Sequence, residues 1–226
     1  SQEFRLESND WGRFDWQAGL FWFDESIDID SFSYNGFGGP QNGYATQRQD
    51  NTAWAVFASG DFEATDRLTL REPREADFPA MLGFNDSPRS SFVGGGSPRQ
   101  QVWRNLIANI GHWVLRGHGF YSVDTKAGDF IGRVGVIFHD GWDEPELGWH
   151  LFDGHEGHGY CVEAARAAKA DYHARITLAP VISYIDPANP KSEAVARRLG
   201  AAPERETVFF DKTINVWRHT GPEARA

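Results

Sequence analysis

Hydrophobic side chains are spaced in two different ways along this chain, and the change falls near residue 66. In the first part apolar and polar residues alternate. Phe4-Arg5-Leu6-Glu7 is a short run of this kind, Arg13 through Phe23 is long and aromatic, and Thr52 through Phe62 is a third. A repeat of two gives an extended chain two unlike faces, so each run predicts a strand. The polar, glycine-rich stretch from Ser31 to Gly43 separates the second run from the third, and its Asn35-Gly36 and Asn42-Gly43 pairs predict turns.

After residue 66 strands and helices are interleaved. The pattern predicts a strand over 67–71, a helix over 75–85, and a helix introduced by Ser97-Pro98 that runs to about Arg116. Val102, Leu106, Ile110 and Trp113 fall three or four apart along that second helix, and Trp103 and Trp113 are expected in the core. Strands follow at 119–124, 130–138 and 146–152, then an alanine-rich helix from near Gly159 through Ala170 and a strand at 180–185. Asn189 reads as the N-cap of a helix that starts at Pro190, and Gly200 as its stop. Strands at 207–210 and 214–218 close the domain. The fold class is α/β in the α+β sense: a mixed, mostly antiparallel sheet flanked by helices, preceded by an N-terminal β-ribbon.

Charge sharpens the division. The net charge is −10, which argues against a nucleic-acid surface, since phosphate binding needs clustered Lys and Arg. Residues 1–66 hold twelve acids and only three bases, Arg5, Arg13 and Arg48, whereas all four lysines and all eight histidines come later. One solvated surface rarely changes composition so abruptly. The expected organisation is a hairpin-like fragment at 1–65 that is not an independent domain, a folded domain at 66–220 and a tail at 221–226; one domain with an acidic edge is the alternative. Cys161 stands alone, which excludes an internal disulfide framework and a multi-cysteine metal site. His150, His155 and His158 read as solvated loop histidines, because no Cys pair or Asp-His spacing completes a site, and no metal is expected. No apolar run reaches the roughly 18–20 residues of a membrane-spanning helix. No signal peptide is recognised, no membrane is expected for the later part, and the expected location is cytoplasmic.

Two resemblances follow from these segments. Ser1 through Leu6, Phe14 through Phe21 and Thr52 through Phe57 resemble barrel strands of TonB-dependent outer-membrane receptors, over about residues 1–71. That family imports large ligands through a closed barrel. Three or so strands cannot close one, since the smallest barrels need about eight, and no transport function follows. An open ribbon is marginal in water, and its edges and aromatic face predict aggregation or docking on the second segment.

The second resemblance rests on the segment with chemistry. Glu146-Leu147-Gly148-Trp149-His150-Leu151-Phe152 empties into Asp153-Gly154-His155-Glu156-Gly157-His158-Gly159-Tyr160, a glycine-rich turn that opens a helix. Unpaired N–H groups and the helix dipole at such a point suit a phosphate or pyrophosphate, and glycines let the backbone come close; a plain turn is the other reading. The dinucleotide fingerprint is not met, because Cys161 and Val162 stand where its third glycine would fall. Together with Arg67 through Pro73, Asp77-Phe78, Phe130 through Gly135, Glu163-Ala164, and Asn189 through Ser192 leading to Leu199-Gly200, this segment resembles the GNAT superfamily of acetyl-CoA-dependent N-acetyltransferases. The match covers about 66–219 and is nearest the branch that includes ribosomal-protein N-terminal acetyltransferases. Thr65 through Arg71 suits both resemblances, which makes it a natural junction.

The resemblance implies a splayed sheet whose fourth and fifth strands part around the pantetheine arm of acetyl-CoA, the co-substrate. The backbone of Trp149, His150, Leu151 and Phe152 would bond that arm, and the amides of His155, Gly157, His158, Gly159 and Tyr160 would hold the pyrophosphate. Asn189 and Ser192 match positions near the thiol end. Departures are Gly154 and His158, where the family carries basic or amide side chains, and Ala201, where an aromatic is usual. The implied reaction is attack of a neutral primary amine, on a protein N-terminus or a small molecule, at the thioester carbonyl. A base must deprotonate the amine, and Glu146 is the candidate. An amide near Trp149 or His150 would polarise the carbonyl. Ser192 or Tyr184 would protonate the thiolate. Glu146 as a strand-edge carboxylate, Asn189 as a cap only, Ser192 and Tyr184 as capping and packing residues, and Cys161 as a packed small residue are the structural alternatives. Phe120 and Tyr121 either line the acceptor pocket or pack. The competing functions are a non-catalytic acyl-CoA-binding or interaction module, and a receptor fragment fused to a soluble domain.

Overall fold

The computed structural model of the chain describes residues 2–7, 14–34, 39–62 and 65–221. Arg13, the Asn35-Gly36 turn and the tail from 222 lie outside the described residues. The chain falls into two compact units, Ser1–Gly60 and Asp61–Ala226.

In the first unit β1 (Gln2–Glu7) pairs antiparallel with β2 (Phe14–Tyr34), and β3 (Gln41–Phe62) follows β2 in the sheet order. The strands reach further into the polar stretch than the sequence suggests. Alternation persists through Ile27 and Ile29, and polar side chains tie the extension across the ribbon: Ser26 to Asp50 at 2.6 Å, Tyr44 to Asp30 at 3.0 Å and Thr46 to Asp30 at 3.1 Å. Asn42-Gly43 accordingly lies inside β3 and makes no turn. A Cβ at Gly43 would stand 2.3 Å from Ser33 Oγ, so a larger residue there would turn that hydroxyl aside. Apolar side chains of this unit face water, Trp54 being 72% exposed and Leu6 68%.

In the second unit the strands run in the order β4 (Leu68–Arg71), β5 (Phe120–Thr125), β6 (Phe130–Ile137), β7 (Glu146–Leu151), β8 (Ile182–Ile185), β10 (Lys212–Arg218), β9 (Ala202–Phe209). Neighbours are antiparallel except β7 and β8. β9 begins five residues earlier than its apolar pattern, because Ala202 through Glu206 extend the pairing with β10 while facing solvent. Four helices complete the unit: α1 (Phe78–Asn85), α2 (Arg99–Arg116), α3 (Tyr160–Arg175) and α4 (Pro190–Arg198), with 3-10 turns at Glu75–Asp77 and Pro88–Val93. Among the described residues no helix is long and apolar enough to cross a membrane.

Each face of this sheet has its own core. On one, Leu68, Leu70, Val123, Val134, Val136, Leu147 and Leu151 pack against Ala164, Ala165, Ala168 and Tyr172 of α3, whose alanines let the helix lie close. On the other, Phe152 joins Phe78, Met81, Val102 and Leu106 of α1 and α2. Each fully buried side chain of this size contributes about 1.5–3 kcal/mol. Trp113 is buried and donates from Nε1 to the Phe120 carbonyl at 3.0 Å. Trp103 is 36% exposed, contrary to expectation, because it sits on the outward side of α2 and meets Phe78 only edge-on at 5.1 Å. A buried ion-pair network joins β4, β5 and the approach to α1. Arg71 holds Asp77 at 2.7 Å and Asp124 at 2.6 Å, and the Ser122 hydroxyl donates to Asp77 at 2.6 Å.

Candidate active site

The site begins with the difference between the two edges of β7. Toward β6 it pairs along its whole length, from Ile137↔Glu146 to Gly132↔Leu151. Phe152 N–H continues that ladder to the Ile131 carbonyl at 2.8 Å. Even-numbered residues therefore aim their backbone groups at β6, and by alternation Leu147, Trp149 and Leu151 aim theirs at β8. On that edge one position pairs, Glu146↔Ile182, and then the strands part. Ser183 Oγ donates to the Leu147 carbonyl at 2.6 Å and meets His219 Nε2 at 2.9 Å, occupying the acceptor that a continuing strand would have used. A slit opens beyond it, with the backbone groups of Trp149 and Leu151 on its wall.

The slit leads into a cavity of about 500 Å³. Trp149, His150 and Leu151 of β7, Gly157, Gly159, Tyr160 and Cys161 of the turn and α3, and Asn189, Lys191, Ser192, Val195 and Arg198 of α4 line it, together with Phe84, Arg89, Phe92 and Val93. The turn is shaped by Gly157 at φ 82° and Gly159 at φ 81°, a conformation that strains any side-chain-bearing residue. Gly159 is also the N-cap of α3 and has no side chain to cap with, so the first-turn amides stay available to a ligand. Glu163 in that turn is held by Thr65 and Arg67. At α4, Asn189 Oδ1 accepts the Ser192 N–H at 3.1 Å, so Asn189 caps the helix while facing the cavity.

Charge in the cavity comes from residues that the sequence pattern did not single out. Arg89 pairs with Asp153 at 3.2 Å and Glu156 at 2.9 Å, and Lys191 with Glu156 at 3.1 Å. Arg197 is paired with Glu193 at 3.0 Å, whereas Arg198, which faces the cavity, has no such pair among the described residues. Between its two glycines the turn itself carries only His158. Only the Ser-Pro start of the 3-10 turn at Pro88–Val93 marked that wall in the sequence, and a Ser-Pro pair says nothing about which cavity a turn will face.

Several expected residues lie elsewhere. Phe152 is buried in the α1–α2 core with its amide committed to β6, so it cannot border the slit. His155 donates its N–H to the Phe152 carbonyl at 3.4 Å. His158 is exposed, its carbonyl taken by Arg67 at 3.2 Å and its ring stacked on Tyr160. Tyr184 stacks on Phe209 with ring centres 4.4 Å apart. Tyr121 packs in the core and donates to Asp171 at 2.6 Å, while Phe120 lies over the glycine of β7, its ring carbon 2.8 Å from where a Gly148 Cβ would stand.

Glu146 sits on the last rung before the slit. Burial pushes its carboxyl up to about 7, against the pull of a hydrogen bond from the Tyr184 backbone N–H. On the same strand face, His150 stacks on Phe84 at 4.9 Å and is held well below its ordinary range by burial and by the positive charge of Arg133 and Arg89. His150 is therefore neutral near pH 7. Burial pushes the Cys161 thiol up to about 12, so it is no nucleophile at neutral pH. No group of three or more His, Cys, Asp or Glu among the described residues is placed to hold a metal ion.

Comparison with known proteins adds context to this geometry. A model of the acetyltransferase (GNAT) domain family matches residues 67–202. The crystal structure of an acetyltransferase from Agrobacterium tumefaciens is 38% identical, covers 69% of this chain and 91% of that protein, and superposes with a TM-score of 0.65. An uncharacterised Bacillus subtilis protein, YkkB, is 28% identical over 165 residues, which is 68% of this chain and 88% of YkkB. The microcin C7 self-immunity acetyltransferase MccE, whose structure holds acetyl-CoA and AMP, shares the fold at 14% identity with a TM-score of 0.59 over 70% of this chain and 95% of that one.

Proposed function

Because the chain belongs to the acetyltransferase (GNAT) domain family, we propose that it moves an acetyl group from acetyl-CoA to a primary amine. The slit between β7 and β8 carries this reading: one paired position, then strand edges left open beside an uncapped helix N-terminus. The cavity suits the donor. The first-turn amides of α3, with Gly157 and Gly159 at positive φ, accept a pyrophosphate, and Arg198 supplies a cation. The wall of Trp149, Leu151, Phe92 and Val195 accepts an apolar arm, whose amides bond the free backbone groups of Trp149 and Leu151 as an added strand would.

Each chemical role falls to a group of this chain. Glu146, with its carboxyl near 7, takes a proton from the ammonium form of the acceptor, directly or through water. The Trp149 N–H faces the slit and polarises the thioester carbonyl; the His150 N–H is committed to β6 and cannot. Ser192 faces the cavity and returns a proton to the departing thiolate, a role its placement favours over Tyr184. Acetyl-CoA supplies the activated acyl group.

The test is release of free coenzyme A from acetyl-CoA with a panel of amines that includes peptide N-termini, alongside calorimetric titration of coenzyme A. Amine-dependent release supports transfer. Coenzyme binding without turnover by any amine makes the chain a binding module, and no binding at all removes both readings.

A further inference from the structure

Arg133 of β6 makes no ion pair among the described residues, and only the more distant charge of Asp77 acts on it. It pairs across the ladder with His150, so both side chains lie on the sheet face that also carries Glu146. Its Nη1 reaches only Met81 Sδ at 3.8 Å, its guanidinium lies over the Phe120 ring at 4.9 Å, and its Nε is buried with no partner. Among the described residues no carboxylate stands within ion-pair distance of it. Asp77, on the same side of the sheet, is fully engaged with Arg71, Ser122 and the Arg74 N–H. Burial pulls Arg133 down to about 10 against the opposing charge of Asp77, which leaves it protonated at neutral pH but marks the cost of holding it there.

A guanidinium whose Nε is buried without a partner, beside an aromatic ring and a thioether, is poorly satisfied, and its planar fork matches a carboxylate better than any other common group. Between Arg133 and Glu146 the paired Gly135 and Gly148 carry no side chain of their own, and the Phe120 ring lies there against Gly148. We propose that the acceptor is a primary amine that also bears a carboxylate, an amino acid or a molecule like one, with the carboxylate held by Arg133 and the amine turned toward Glu146. This rests on the transfer reading above.

The test compares acetylation of an amino acid by the full chain with that of its methyl ester, each under acetyl-CoA saturation. The acid should be preferred by roughly 10- to 100-fold in kcat/KM, the worth of one charge-assisted pair. Arg133→Gln should collapse the preference mainly through KM for the acid, and Arg133→Lys should restore part of it, while calorimetric coenzyme A affinity reports that both variants fold. Turnover of ester and acid at equal rates by the parent protein, or an equal loss on both with Arg133→Gln, overturns the proposal and leaves acetyl transfer standing. Coenzyme binding with neither amine acetylated overturns both.

Discussion

The two edges of β7 face each other's opposite in the same six residues. Toward β6 every position pairs, and glycines at 132, 135 and 148 let backbones and rings close to distances no Cβ allows. Toward β8 one rung forms, and a serine hydroxyl takes the next acceptor. The closed edge is bought with burial and the open edge is a cost in unpaired backbone, which a folded protein tolerates where a ligand completes the ladder. Stability and chemistry thus occupy opposite sides of one strand.

That contrast can be broken from either side. The largest effect is expected at the rung the two edges share. Glu146→Gln should lower kcat by about 10²- to 10⁴-fold with little change in KM for the donor. The parent's rate should rise with pH through about 7 as Glu146 loses its proton, and the variant's should not. In the core beneath β7, Leu147→Ala removes a fully buried side chain and should cost about 2–5 kcal/mol in denaturant unfolding. Its activity per folded molecule should stay nearer the parent's than that of Glu146→Gln; equal losses in the two variants would erase the distinction.

A smaller effect runs the other way. The folded state holds the Glu146 proton up to about 7, above the ordinary 4.5, so between those values folding binds a proton and stability falls as pH rises. Glu146→Gln should therefore be more stable than the parent above pH 7, by up to about 3 kcal/mol, and match it below the ordinary carboxylate range. Coincident thermal melts at pH 8 would mean that Glu146 is not held against its charge. Least of the four, Gly157→Ala adds a Cβ that meets nothing within 4 Å but must hold φ 82°. The strain of about 1–3 kcal/mol should appear as a raised KM for acetyl-CoA, read from initial rates.

Much of this was written locally in the sequence. The strand expected at 146–152 and found at Glu146–Leu151, the glycine turn, the Asn189-Pro190 start of α4 and its Gly200 end all depend on near neighbours. What stayed hidden depends on distant ones. Phe152 continues the pattern of β7 yet belongs to the α1–α2 core, because which side of a strand faces which helix is settled only by packing. Arg89, Phe92 and Val93 come from some sixty residues upstream of the turn they face, in a segment with no period of its own. Asn42-Gly43 has the composition of a turn and the environment of a strand, since Ser33 across the ribbon fills the space a side chain would need. Nothing local marks Arg133 within the run from Phe130 to Gly135; that the nearby Asp77 is committed to Arg71 is set by packing.

Cys161 carries one last consequence. It is the sole thiol of the chain, it lines the cavity wall, and burial keeps it from ionising. Half-buried on that wall, it meets a small disulfide reagent from the cavity itself, so the rate of its modification is a built-in clock for whether the cavity is filled. Saturating coenzyme should slow that clock, and no label need be engineered to hear it tick.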